Sequence, residues 1–108
     1  MVSNHGGRQL DRAPATLSVL PEIRAELGPD ATVLLDSGVR HGADLIAARA
    51  LGADAVMIGR AYLYGLMAGG ERGVTRAIDI LREEYSRSLQ LLGLNSTAGI
   101  SRRHVRLP

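Results

Sequence analysis

Cysteine, lysine, phenylalanine and tryptophan are all absent from this 108-residue chain. Without cysteine there is neither a disulfide framework nor a thiolate metal site within it. Three tyrosines are then the only tyrosine, phenylalanine or tryptophan rings, too few for the stacking surfaces of nucleic-acid readers. All thirteen basic residues are arginine, scattered along the chain, and the formal net charge is only +2. A basic stripe for nucleic acid is therefore missing as well. No apolar run approaches the length of a membrane span. The first residues are polar and glycine-rich, unlike the charged and apolar regions of a signal peptide, so nothing requires export. What remains is a chain with 45% hydrophobic residues, a globular composition with room for one domain.

Apolar spacing divides the chain into alternating elements. Leu17, Leu20, Ile23 and Leu27 recur at three and four residues, which predicts a helix stopped by Gly28 and Pro29. "ATVLLDSG" is a short aliphatic run that predicts a buried parallel strand over Thr32–Leu35. "HGADLIAARALG" predicts a helix closed by Gly52, and "AVMIG", Ala55–Gly59, a second buried strand. "RAYLYGLM" then predicts a short helix. A longer one buries Val74, Ile78, Leu81, Tyr85, Leu89 and Leu92 and ends at Gly93. In the polar tail, which runs to Pro108, Ser101 is placed to cap one more turn. Strands separated by helices make parallel βαβ units, and two or three strands are few for a parallel sheet. The chain reads as part of a larger α/β sheet whose first half is missing.

Both predicted strands end in the same chemistry. The first runs into "DSGVR", Asp36–Arg40, and the second into Gly59 and Arg60. Glycine lets backbone approach a ligand, and arginine offers a planar fork of donors suited to phosphate or carboxylate. A helix N-terminus follows each, which adds unpaired N–H groups favourable to an anion. The plainer reading makes Gly38 and Gly59 turn residues, the arginines surface charges and Asp36 a cap; the repetition within one βαβ unit favours phosphate. The opening stretch "VSNHGGRQLD" adds His5, with an ordinary pKa of about 6.5 suited to a general base. Arg8 is suited to a carboxylate, and Gly6 and Gly7 permit a sharp turn. His41, at a helix start, and His104, in the tail, read as structural.

"SNHGGRQ", Ser3–Gln9, resembles the active-site motif of the FMN-dependent α-hydroxy acid dehydrogenases and oxidases. "DSGVRHGADLIAARALGADAVMIGRAYLYGL" resembles the family's flavin-phosphate segment, with wording most similar to bacterial L-lactate dehydrogenases. The resemblance implies the C-terminal portion of a (β/α)₈ barrel, from the end of strand six through the terminal helices. It implies an FMN enzyme of small L-2-hydroxy acids, L-lactate foremost, with mandelate, glycolate or a modified peptide as alternatives. His5 is implied as the base and Arg8 as the carboxylate ligand. Asp36, Ser37, Gly38, Arg40, Gly59 and Arg60 are implied at the phosphate and ribityl end of FMN, Ser37 standing where many members carry glycine. No nucleic acid is involved, and the electron acceptor stays open between oxygen, a quinone and a cytochrome. The complete form is expected to be cytoplasmic or peripheral at a membrane, and a homo-oligomer.

A lysine near the flavin, an aspartate paired with the base, a substrate tyrosine and a second carboxylate-binding arginine lie upstream in members of the family. A whole barrel takes about 250 residues. The expectation is therefore a fragment, a truncated gene or a misplaced start; an inactive remnant that binds only phosphate is the competing class.

Overall fold

The computed structural model describes residues 1–106. Helix α1 spans Thr16–Leu27, strand β1 Leu34–Leu35, helix α2 Gly42–Ala50, strand β2 Ala55–Val56 and helix α3 Arg60–Leu91. Single 3₁₀ turns cover His5–Gly7, Thr97–Gly99 and Arg102–His104. The strands are parallel, Leu34 opposite Ala55 and Leu35 opposite Val56, with α2 as the crossover between them. On the other side of β1, Val2 forms one parallel bridge to Leu35. Its N–H donates to Leu34 O at 2.7 Å and its carbonyl accepts from Asp36 N–H at 2.8 Å. The class is α/β, as the alternation of elements predicts.

The core lies between β1 and the two helices that cover it. Leu20 of α1 meets Val33, Leu35, Ala48, Leu51 and Ala53, with Val2 closing one side. Burying leucines and valines of this size contributes roughly 1.5–3 kcal/mol each, which makes this cluster the main support of the strand ends. A second cluster joins Ile46 and Ala50 of α2 to Ile100, with Tyr85 and Leu89 packed beside it. The α3 stripe is therefore correctly placed from Val74 to Leu89, whereas Leu92, at the helix end, is exposed.

Two expectations need correction. The strands are shorter than the apolar runs that predict them, because a ladder needs a partner at each residue. The Val33 N–H is taken instead by the Asp54 carboxylate at 2.8 Å. Nor is β2 buried: Ala55 and Met57 are exposed, on the same face as the half-covered Leu34. That face has no covering layer among the described residues, and β2 has no neighbour on its far side.

The two helices expected after β2 form one helical run broken at Gly69–Gly70, where Gly70 adopts φ 58°. The run turns back there, bringing the backbones of Gly65 and Gly73 into contact. The second arm then crosses the start of α2, so closely that a Cβ on Gly42 would overlap the backbone of Glu84 and Tyr85. The expected Ser101 turn is present, with Ser101 N–H donating to His104 Nδ1 at 3.0 Å.

Candidate active site

The C-terminal ends of β1 and β2 and the turn after Val2 meet on one side of the fold. His5, Gly6 and Gly7 all have positive φ, at 55°, 65° and 71°. Glycine takes such angles freely; histidine pays strain there, and strained residues persist where the surroundings fix them. The surroundings here are two hydroxyls and one carboxylate. Ser37 Oγ accepts from the N–H of Gly6 at 3.0 Å and of Asn4 at 3.3 Å. Ser3 Oγ accepts from His5 N–H at 3.1 Å. Both hydroxyls donate to Asp36 Oδ2, from Ser3 at 2.5 Å and from Ser37 at 3.1 Å.

This arrangement also fixes the charge on Asp36. The Ser3 hydroxyl holds the carboxyl below its ordinary pKa, desolvation pulls the other way, and the Ser37 hydroxyl and backbone N–H add to the lowering, as does the charge of His5. Asp36 is accordingly a carboxylate at neutral pH, and a fixed acceptor at the strand end.

Arg60, at the start of α3, donates from Nη2 to Gly6 O at 2.9 Å, which ties the opening turn to the end of β2. A Cβ on Gly6 would sit 2.6 Å from that guanidinium nitrogen and displace it, and the positive φ favours glycine there in any case. Ser37, Gly38 and Arg60 line a groove of about 440 Å³ together with Asn4 and Gly6. The Asn4 side chain is oriented by its Nδ2 bond to Pro14 O at 2.9 Å, and its buried Oδ1 has no partner among the described residues.

The remaining expected residues stand around this groove rather than in its wall. His5, Arg8, Arg40 and Gly59 are exposed, and no described residue bonds to the side chain of His5, Arg8 or Arg40. The two helix N-termini differ from expectation and from each other. At α2 the N–H groups of Arg40 and His41 both donate to Asp44 Oδ2 at 2.8 Å, and Gly42 N–H donates to Glu84 Oε2 at 2.7 Å. That end is already satisfied by carboxylates and offers an anion little. At α3 no described residue accepts from the N–H of Arg60 or Ala61, so the free donors expected of a helix start are present there.

The geometry offers an imidazole, a free guanidinium, a carboxylate acceptor and a cationic helix start, at the ends of parallel strands. Residues 1–107 match the family model of the FMN-dependent dehydrogenases. The chain belongs to that family. FMN is the family's cofactor. The chain is 55% identical over 105 residues to a putative L-lactate dehydrogenase of Mycobacterium tuberculosis, covering 97% of this chain and 25% of that protein. It is 51% identical to a peroxisomal (S)-2-hydroxyacid oxidase of Arabidopsis thaliana, covering 98% of this chain and 29% of that one. A soluble mutant of the membrane-associated (S)-mandelate dehydrogenase from Pseudomonas putida superposes with a TM-score of 0.91 at 44% identity, over 97% of this chain and 30% of the other. This member of the FMN-dependent dehydrogenases thus spans between a quarter and a third of the length of these relatives. Among its described residues no helix is long and apolar enough to cross a membrane.

Sequence reasoning assigned no role to Ser3, Asp44 or Glu84. Asp44 had a signal, an acid three residues after the helix-start His41. Glu84 had none, because it acts on Gly42, 42 positions away, and the bond of Ser3 to Asp36 is likewise distant, though its bond to His5 is local.

Proposed function

We propose that these residues form the last part of a (β/α)₈ barrel, from the end of strand six, in an enzyme that oxidises a small L-2-hydroxy acid, L-lactate foremost. FMN, when bound, supplies the two-electron acceptor. His5 takes the proton that the substrate loses, and Arg8 binds the substrate carboxylate through two parallel bonds. Arg40 and Arg60 offset the phosphate charge beside the free N–H groups at the start of α3. The donor set fits such a group: Gly38 and Gly59 have nothing within 4 Å of where a Cβ would lie, which leaves backbone open to close approach. The Asp36 carboxylate supplies an acceptor for ribityl hydroxyls.

The observation that carries this reading is the strained His5 turn, held at the strand ends by Asp36, Ser3 and Ser37 and braced by Arg60. A stretch serving only as a connection has no need of a histidine at positive φ anchored in this way. The similarity to an (S)-mandelate dehydrogenase supports a second substrate, mandelate, acting through the same residues. The choice between them falls to side chains outside these strand ends.

The test is His5→Gln in the complete flavoprotein, assayed with lactate, glycolate and mandelate. Flavin is retained, and turnover falls by about 10²–10⁴-fold, the usual cost of removing a general base. Turnover near the unsubstituted rate rejects His5 as the base. The ranking of the three acids decides the substrate.

A further inference from the structure

Ser37 occupies a position that glycine would fill with less strain. Its φ is 79°, in the left-handed region that a Cβ disfavours, and Gly38 follows at 80°. A side chain kept there is expected to return something. Its hydroxyl uses every bonding capacity it has, donating its one proton to Asp36 and accepting from Asn4 N–H and Gly6 N–H. Ser3 Oγ does the same for His5 N–H and Asp36, so three successive amides of the opening turn end on two hydroxyls and one carboxylate.

The carboxylate sets the direction of the whole network. Because Asp36 can only accept, it draws both hydroxyl protons toward itself and leaves the oxygen lone pairs facing the amides. Thr16 Oγ1, itself buried, donates to Ser37 O at 3.2 Å and holds that residue from the other side. The turn's position is thereby referred to β1 and α1 rather than to the single bridge at Val2.

We infer that Ser37 is a positioning residue for the reaction. Its hydroxyl fixes the backbone of Asn4 and Gly6, and through them the place of the His5 imidazole, so only its backbone remains for the cofactor contact of the proposed function. The inference rests on the reading of His5 as the base. It assigns to the side chain of Ser37 a task on the substrate side of the site.

The experiment uses Ser37→Gly and Ser37→Ala in the complete FMN-loaded protein, beside His5→Gln as the control for the underlying reading. Glycine removes the hydroxyl and relieves the strain; alanine removes the hydroxyl and keeps it. Both are expected to lower kcat by about ten-fold, with KM and the FMN dissociation constant within about two-fold of the unsubstituted protein, because misplacing a catalytic group acts on the reacting geometry. Hydrogen exchange of the peptide covering residues 2–9 accelerates in both, and that covering 55–62 does not. Ser37→Gly separates positioning from folding, since it is expected to fold at least as stably while losing turnover. A kcat within about two-fold of unsubstituted in both variants, with His5→Gln inactive, overturns the role of Ser37 and leaves the proposed function standing. An active His5→Gln overturns the functional reading itself.

Discussion

The two ends of the same strand pair use arginine in opposite ways. At the N-terminal end, Arg24 of α1 is fully engaged. Its Nε donates to Gly52 O at 2.7 Å, Nη1 to Gly28 O at 3.1 Å and Ala31 O at 2.6 Å, and Nη2 to Asp54 Oδ2 at 2.6 Å. Arg49 adds a bond to Ala53 O at 3.2 Å, and Asp54 also accepts from Val33 N–H. At the C-terminal end, the side chains of Arg8 and Arg40 bond to no described residue, and that of Arg60 gives one bond to Gly6 O. A guanidinium that has used its donors on the chain's own carbonyls is a staple. One that keeps them is available to a ligand. In barrel folds the C-terminal end of the strands carries the chemistry and the other end the stability, and the division of donors here has that sense.

Substitutions at the two ends should therefore separate folding from binding. The largest effect is expected of Arg24→Ala, which removes the donor to three carbonyls and one of those to the Asp54 carboxylate and lowers stability by roughly 2–4 kcal/mol. Denaturant unfolding measures it, and FMN affinity of the folded fraction stays unchanged. A weaker flavin complex at equal stability would invert the assignment of the two ends. Arg40→Ala is expected to do the reverse. FMN affinity, followed by fluorescence quenching, falls by roughly 10- to 150-fold, since a charge-assisted bond to phosphate contributes about 1.5–3 kcal/mol. The unfolding midpoint without flavin stays where it was. A drop in that midpoint would make Arg40 a second staple.

The smallest effect is a dependence on acid. The carboxyls of Asp54 and Asp36 are both held below their ordinary value, Asp54 chiefly by the Val33 N–H and then by Arg24, and Asp36 chiefly by the Ser3 hydroxyl. A group whose folded pKa is depressed contributes stability above its unfolded value and loses that contribution as pH falls through the folded one. Stability without flavin is thus expected to decline as pH drops below the ordinary carboxylate value of 3.8, and Asp54→Asn to flatten part of that decline. A slope unaltered by Asp54→Asn would leave Asp36 to account for it.

How much of this was legible depends on the range of the interactions. The helices were, because Leu20, Ile46 and Leu81 show their buried faces through local spacing, and Gly28 and Gly93 mark ends through positive φ. Strand lengths were not, since pairing is decided by residues far apart: Asp54 intercepts the N–H of Val33, and among the described residues Val2 supplies the only bridge on the far side of β1. At the site, residue types were legible and their states were not. Arg40 was marked by its place after a strand and a glycine, but nothing local marked Arg24 as the staple of the opposite end. Nor does anything local tell that Glu84, 42 positions on, satisfies Gly42, whereas Arg60 and Ala61 keep free donors among the described residues.

The contact between Gly65 and Gly73 limits how this part of the chain can vary. A Cβ on either residue would overlap the other's backbone carbonyl, so neither position admits a second residue type while its partner stays in place. Enlarging the partner as well only worsens the overlap, so either change requires the two arms to move apart. The two glycines therefore act as one spacer between the arms, whereas outward residues such as Tyr64 and Met67 are unconstrained by this contact.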